Sequence, residues 1–331
     1  MSKKRNIEDA KDKKKVLITE SGPGDATLKE KETDLSEISS AREYTFFQMV
    51  LYRFLRHKMA IAGFSIVCFL ILLIIFSYIN DLFPNLFNLP DFTRTSITNR
   101  FLPPLSPGHP LGTDNVGRDV MARLIYGGRI SLFIGFTASI SGGLVGGIIG
   151  AISGYFGGWI DSLIMRIVEL FFSVPTLPIL VIVARYFGGS PVTIILILVV
   201  FGWAGTARLI RGLVLQIKEY EYIEAAKAIG CSNARIIMRH VFPNTLAILL
   251  VTMTLRVGGA ILFESTLSFL GLGVNPAWPT WGNMLSNAQN FMWNAPHLVI
   301  WPGLCIFLSI LSFNFLGDGL RDALDPKLKN T

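Results

Sequence analysis

Residues 130–152 read ISLFIGFTASISGGLVGGIIGAI and contain no charged side chain. A helix of this length can cross the hydrocarbon core of a bilayer, which is about 30 Å thick. Residues 59–79 and 298–316 form two further uncharged apolar runs. The composition agrees, since 51% of the 331 residues are hydrophobic and 16% are charged, against roughly 25% in soluble domains. The sequence therefore predicts a polytopic membrane protein.

Three further apolar segments carry charges or prolines. The segment 164–187 contains Arg166, Glu169 and two prolines, and the segment 245–263 contains Arg256. Such residues are tolerated within a span where neighbouring protein or a water-filled cavity satisfies them. We therefore predict an all-α protein with six transmembrane helices. The predicted spans are 59–79, 130–152, 164–187, 191–210, 245–263 and 298–316.

The residues before the first span divide into two parts. Residues 1–45 hold ten Lys or Arg and ten Asp or Glu, a composition that buries too little apolar surface to fold, so we predict a disordered tail. Residues 46–58 show apolar side chains at helical spacing with basic residues between them. This pattern predicts an amphipathic elbow helix lying on the membrane. The alternative is that the segment forms the first turns of a tilted span.

The basic residues predict the orientation of the chain. If the tail is cytoplasmic, 23 of the 30 Lys and Arg residues fall in cytoplasmic segments, which is the side that carries their excess. Both termini are therefore predicted to be cytoplasmic. The external loops are then 80–129 and 264–297, and the cytoplasmic segments are the loop 211–244 and the C-terminal tail 317–331.

Glycines recur every four residues in the second span. The ladder consists of Gly142, Gly146, Gly150 and Gly154. Small residues at this spacing allow the backbone of a neighbouring helix to approach closely. The ladder is either an ordinary tight packing seam or a sliding seam used in transport.

The connection between the fourth and fifth predicted spans carries the most informative pattern. Residues 221–230 read EYIEAAKAIG, and CSNARIIMRHVFP follows at 231–243. Gly230 suits the left-handed position just past a helix end, Ser232 or Asn233 can cap a second short helix, and Pro243 precedes the fifth span. The pattern predicts a helical hairpin, residues 221–243, that projects into the cytoplasm.

The first arm of this hairpin suits contact with another protein. Two alanines would give it a smooth surface, and Glu224 offers a carboxylate to a basic partner. The segment resembles the EAA loop of bacterial ABC-importer permeases, in which Glu-Ala-Ala precedes a glycine and a final hydrophobic-x-Leu-Pro. The matching residues are Glu224, Ala225, Ala226, Gly230 and Pro243. His240 and Phe242 replace the usual Ile and Leu.

Other segments resemble the dipeptide and oligopeptide permeases of that family. They are HPLGTDNVGRD at 109–119, RLIYGGRISL at 123–132, ESTLSFLGLG at 264–273 and GDGLRDALDP at 317–326. Ala122 and Gly128 stand where Ser and Ala are expected. The resemblance covers roughly residues 45–328 and is to the C-type, or second, permease subunit.

The resemblance implies a type I ABC importer permease fold with a core domain at 130–320, in a bacterial or archaeal plasma membrane. It implies a second homologous permease chain, two cytoplasmic ABC ATPase subunits that contact the Glu224–Gly230 segment, an external substrate-binding protein and an oligopeptide substrate. The sequence contains no G-x-x-x-x-G-K-[ST] phosphate loop, so ATP and Mg are expected on the ATPases. We predict a non-catalytic chain without cofactor or metal, surrounded by lipid and without a nucleic-acid partner.

Four charged residues are candidates for the transport path. Arg256 stands well inside the fifth span, where a charge is costly, so we predict that it faces other helices or an aqueous path. It could contact a peptide carboxylate or be satisfied by carbonyls or a partner chain's acid. Asp114, Arg118 and Asp119 follow a proline-rich stretch on the predicted outer side. They could form an external gate or fold their own loop through ion pairs.

Two other classes of function remain open from the sequence. An ion-coupled secondary transporter is also polytopic and can contain intramembrane charges, but it needs no docking hairpin. A channel or a scaffold is a more distant alternative. Within the importer hypothesis, oligosaccharides or nickel are the alternative cargoes, although the four histidines and three cysteines show no metal-ligand spacing.

Overall fold

The computed structural model describes residues 46–83 and 89–324, and this part of the chain is helical without a β-strand. The helices are α1 Phe46–Arg56, α2 Lys58–Leu82, α3 Val120–Phe156, α4 Gly158–Ser173, α5 Thr176–Phe187, α6 Pro191–Ile217, α7 Glu221–Ala228, α8 Asn233–Phe269, α9 Trp281–Ala288 and α10 His297–Leu324. The predicted disordered tail at 1–45 lies outside the described residues. The end of the C-terminal tail, from residue 325, does so too.

Five of the described helices, α2, α3, α6, α8 and α10, are long and apolar enough to cross a membrane. The third predicted span, 164–187, is not one helix, because α4 and α5 meet at an angle of 87°. The break has a local cause. Val174 precedes Pro175 and has an extended backbone, with φ −96° and ψ 130°, which is the conformation that a following proline favours. The pair makes a sixth crossing if it forms one broken span.

Several helices extend beyond the predicted spans. Helix α3 begins at Val120 rather than near residue 130, and α10 continues to Leu324. The predicted external loop 80–129 is therefore too long by about three helical turns, and α9 lies within the predicted loop 264–297. The added turns of α3 contain two arginines, and one of them, Arg129, pairs with Asp81 at 2.6 Å. An uncharged apolar run therefore marks only part of a helix.

The elbow segment forms a helix of its own. Helix α1 ends at Arg56, and His57 interrupts the helical backbone before α2. The His57 Nδ1 accepts a hydrogen bond from the amide of Ala60 at 3.1 Å, which caps α2. The segment is therefore not simply the first turns of α2. It ends two residues earlier than the predicted range 46–58.

Helix α3 lies at the centre of the bundle, between α6 and α8. Its glycine ladder faces α6, where a Cβ placed on Gly146 would lie 2.4 Å from the carbonyl oxygen of Trp203. A Cβ on Gly150 would lie 2.4 Å from the carbonyl oxygen of Ala207. The close backbone approach predicted from the ladder is thus confirmed. Helix α10 packs against both α8 and α2.

Candidate coupling hairpin and translocation path

Helix α7 is amphipathic on a small scale, with one face turned into the protein. Ile223 is fully buried and Ala226 is 6% exposed, whereas Glu224 and Ala225 are exposed. The two buried residues join a core cluster with residues from the second arm of the hairpin and the ends of α3 and α6. That cluster includes Ile236, Val241, Ala151, Ile210, Val214 and Ile217. The hairpin is therefore packed onto the bundle.

The end of α7 has the geometry predicted for Gly230. Its φ is 81°, in the left-handed region that favours glycine. The amide of Gly230 donates to the carbonyl of Lys227 at 3.0 Å, and the amide of Cys231 donates to that of Ala226 at 3.1 Å. These two bonds form a Schellman motif. Ser232 occupies the N-cap position of α8, but its side chain makes no capping bond.

The second arm of the hairpin differs from the prediction of a separate short helix. Helix α8 runs without interruption from Asn233 to Phe269, through a π-helical turn at Ile237–Val241. The turn ends two residues before Pro243, which has no amide hydrogen to continue the α-helical pattern. The hairpin arm and the predicted fifth span are consequently one rod.

Side-chain hydrogen bonds connect the hairpin arms to each other and to α3. The amide of Asn244 donates to the Tyr222 hydroxyl at 3.3 Å, and the Tyr155 hydroxyl donates to Asn233 at 3.0 Å. Burial, with a smaller contribution from Tyr220, raises the pKa of Tyr222. This phenol is therefore neutral near pH 7 and able to accept the bond from Asn244.

The outer surface of the hairpin exposes apolar side chains and a carboxylate. Ile229 is 81% exposed and Met238 is 66% exposed, and Ala225 and Glu224 are exposed as well. The prediction that Ala226 contributes to this surface is wrong, because Ala226 faces the core. Its three-residue spacing from Ile223 was the sequence signal for that orientation.

A second feature is an open cavity of about 420 Å³ beside α6. Residues from α3, α4, α5, α6 and α8 line it, and most of them are apolar or glycine. They include Ser139, Phe172, Thr176, Phe201, Gly202, Gly205, Arg256, Gly259 and Phe263. Among the described residues that line the cavity, Arg256 alone is charged.

Arg256 is held between α8 and α6. Its Nη1 donates to the Thr206 hydroxyl at 2.9 Å. Its Nη2 lies beside Gly202, where a Cβ would come within 2.1 Å of it. The side chain thus faces other helices and the cavity. It occupies a notch that exists because residue 202 has no side chain.

Glu264, two turns further along α8, belongs to a different cluster. Its carboxyl group is fully buried and accepts hydrogen bonds from Ser268 at 2.8 Å and Ser131 at 3.1 Å. The hydrogen bonds that Glu264 accepts from the described residues come from hydroxyl groups, and Arg256 is not among these donors. The cluster joins α3 to α8 away from the cavity.

The three predicted gate residues form local contacts. Asp114 accepts from the Nε of Arg118 at 2.6 Å and from the amide of the same residue at 2.9 Å. Asp119 is 2% exposed, caps α3 through the amide of Ala122 at 2.7 Å, and contacts the Nδ1 of His109 at 2.8 Å. These contacts account for the folding of the loop. A gate function for these residues stays a prediction.

Several residues at these sites could not be found from local sequence patterns. Thr206 and Gly202 are about 50 positions from Arg256, and nothing local indicates that they meet. The same holds for Asp161 and Arg211, which join α4 to α6 through a pair of hydrogen bonds at 2.9 and 2.5 Å. Within the described ranges, no three His, Cys, Asp or Glu side chains lie close enough to hold a metal ion.

Comparison with known proteins places this chain in a family. Residues 146–330 match the family described as binding-protein-dependent transport system inner membrane component. Residues 45–104 match the N-terminal TM domain of oligopeptide transport permease C. Two different regions of the chain therefore match the same kind of protein.

Individual relatives are similar over most of their length. The dipeptide transport system permease protein of Bacillus subtilis is 42% identical over 84% of this chain and 84% of its own. The glutathione transport system permease protein of Pectobacterium atrosepticum is 39% identical over 68% of this chain and 75% of its own. The glutathione transport system permease protein of Escherichia coli O6:K15:H31 is 43% identical over 67% and 73%.

Proposed function

The chain belongs to the binding-protein-dependent transport system inner membrane components, as a permease of the peptide ABC importer type, and we propose that it forms one half of a path for oligopeptides. The other half is a second, homologous permease chain. An external binding protein delivers the peptide, and two ABC ATPase subunits bind ATP and Mg. This chain contributes motion and a path but no catalysis.

The shape of the hairpin is the observation that carries this proposal. Its inner face is buried against α3 and α6, and its outer face exposes Ile229 and Met238. Exposed apolar side chains together with a charged residue are typical of a protein interaction surface. Because the second arm continues into α8 without a break, a displacement of the hairpin would move a membrane-spanning rod. We assign the outer face to an ATPase subunit.

The orientation follows from the same assignment. The hairpin must lie in the cytoplasm to meet the ATPases, so both termini are cytoplasmic and the segment around Leu105 is external. Single cysteines at Ile229 and at Leu105, which is 90% exposed, provide the test after Cys68, Cys231 and Cys305 are replaced. An impermeant thiol reagent added to intact cells should label the cysteine at 105 alone. Labelling of both sites, or of 229 alone, would contradict this topology.

A series at Gly230 tests the coupling role. No atom lies within 4 Å of a Cβ placed there, so a substitution acts through the backbone conformation rather than through a clash. Gly230→Val should strongly reduce both substrate-stimulated ATP hydrolysis and uptake, because a β-branched residue is disfavoured at positive φ. Gly230→Asn is the matched control, since Asn tolerates this region best among other residues. The assay uses the complete importer in liposomes, with and without binding protein.

Two substitutions on the outer face test docking itself. Ile229→Asp should leave the chain folded, because Ile229 contributes an exposed side chain, but should weaken ATPase binding. Glu224→Lys should act through repulsion from a basic groove. Co-purification of the ATPases measures both effects. Normal hydrolysis and uptake in Ile229→Asp, Glu224→Lys and Gly230→Val, with the ATPases bound, would falsify the assigned role.

The cargo is tested on the binding protein that works with this permease. We expect short peptides to co-purify with it, and mass spectrometry of the released ligand identifies them. An oligosaccharide or a nickel complex in their place would keep the importer mechanism and overturn the peptide assignment.

A further inference from the structure

The cavity beside α6 combines an apolar wall with one fixed cation. Its lining is mainly aromatic, aliphatic and glycine residues, and the guanidinium of Arg256 borders it. The hydroxyl of Thr206 holds one edge of that guanidinium at 2.9 Å. The side chain is therefore positioned before any ligand arrives. A positioned cation next to open, poorly polar space favours a group of opposite charge.

We propose that Arg256 contacts the C-terminal carboxylate of the peptide during its passage through the membrane. This inference rests on the proposed peptide-importer function and specifies the chemical group that the path recognises. The planar guanidinium suits a carboxylate because it can donate two parallel hydrogen bonds. A carboxylate entering an apolar passage loses water, and the contact replaces part of that hydration.

The surroundings of Arg256 limit how strongly it can bind. One of its donors is already engaged by Thr206, and the cavity is open rather than enclosed. A transport path needs a site that admits the substrate and also releases it. A single shared guanidinium meets this requirement better than an isolated one with all its donors free. The contact thus lowers the barrier for a charged end group without trapping it.

The glycines around the cavity allow a test that leaves all charges unchanged. A Cβ on Gly202 would come within 2.1 Å of the Arg256 Nη2, so Gly202→Ala must displace the guanidinium. A Cβ on Gly205, one turn away on the same helix, meets only Phe172 at 4.0 Å. Both residues line the same cavity. Gly205→Ala is therefore a matched control for Gly202→Ala.

The experiment compares trialanine with trialanine amide in liposomes that contain the complete importer. Both peptides are supplied at saturation of the binding protein, whose affinity for each is measured separately. The readout is the ratio of the two uptake rates. Arg256→Gln should reduce the acid-to-amide ratio about tenfold, the size of effect expected for one charge-assisted hydrogen bond. Gly202→Ala should shift the ratio in the same direction, and Gly205→Ala should leave it unchanged.

The other outcomes overturn the inference. If Arg256→Gln slows both peptides equally, the residue supports the structure only, for example by pairing with an acid of the second permease chain. An unchanged ratio in Arg256→Gln has the same consequence. Should that variant fail to assemble, Gly202→Ala against Gly205→Ala decides alone, and equal ratios in the two would refute the contact. If the wild-type importer takes up neither peptide, the proposed peptide function itself is wrong.

Discussion

Glycine has opposite effects on two sides of α6. On the side facing α3, Gly146 and Gly150 of α3 carry no side chain, so the two backbones can touch. On the side facing the cavity, Gly202 makes room for the Arg256 side chain and Gly205 borders open space. The first arrangement fixes one helix against another, and the second creates volume. A glycine in a membrane helix therefore has no single meaning, and its neighbour decides the effect of replacing it.

The contact between α3 and α6, the seam, is also stabilised by an ion pair at the end nearest the hairpin. Arg211 of α6 binds Asp161 of α4 through two hydrogen bonds, and the Ser153 hydroxyl of α3 donates to the same carboxylate at 2.6 Å. One carboxylate thus joins three helices. Among the described residues, the cavity side of α6 has no comparable ion pair. The cation there, Arg256, is hydrogen-bonded to a single hydroxyl, that of Thr206. We expect the seam to behave as a rigid unit.

The largest expected effect is at the seam. Gly150→Leu places atoms where the carbonyl oxygen of Ala207 already lies 2.4 Å from an added Cβ, so α3 and α6 must separate. We expect a loss of about 3 kcal/mol or more, at the upper end of overpacking costs. Thermal unfolding of the purified chain measures it. Gly212→Leu is the control, because no atom lies within 4 Å of a Cβ there. Equal stability of the two variants would contradict a close-packed seam.

A smaller loss of stability is expected when the ion pair between Asp161 and Arg211 is removed. Asp161→Asn removes the ion pair with Arg211. The Asp161 side chain is 14% exposed and the Arg211 side chain is 32% exposed. Because this pair is partly buried and bidentate, we expect about 1–2 kcal/mol, between exposed and buried pairs. Arg166→Gln breaks the exposed pair with Glu169 on the same helix and should cost less than ~0.5 kcal/mol. A double-mutant cycle of Asp161 and Arg211 measures the coupling free energy of the pair. A value near zero would show that the pair does not stabilise the fold.

On the cavity side, Gly202→Ala should change stability by less than about 1 kcal/mol. The obstructing atom is the end of the flexible Arg256 side chain, which can move at low cost, and helix propensity favours Ala over Gly. Gly202→Ala should therefore affect peptide uptake more than it affects the unfolding temperature. A loss of stability as large as that of Gly150→Leu would show that the notch is part of the packed core.

The smallest effect, and one of opposite sign, is expected for Gly205→Ala. The added Cβ meets Phe172 at 4.0 Å, an ordinary van der Waals distance. Replacing glycine within a helix should then stabilise the chain by about 0.5–1 kcal/mol. Calorimetry of this variant beside Gly202→Ala and Gly150→Leu tests the full order. A destabilised Gly205→Ala would mean that the space beside α6 is needed by the fold.

Local patterns in the sequence were sufficient for most of the helical elements. The uncharged runs located α2, α3 and α10, and the position of Gly230 predicted the end of α7 correctly, because a left-handed cap depends on a few neighbouring residues. The bend between α4 and α5 was missed although Pro175 was visible, since a proline within an apolar segment is compatible with either a kink or a complete break. The continuity of α8 through Pro243 depends on a π-turn that no local pattern indicated.

By itself, then, the sequence determined the membrane environment, the helical class, the hairpin and its resemblance to importer permeases, since these depend on composition, periodicity and short motifs. Only the tertiary structure decided that Arg256 meets Thr206 and Gly202, and that Asp161 joins three helices. The physical reason is sequence distance. The partners of Arg256 and of Asp161 on α6 lie about 50 residues away, and only the packing angle of two helices determines whether such residues touch.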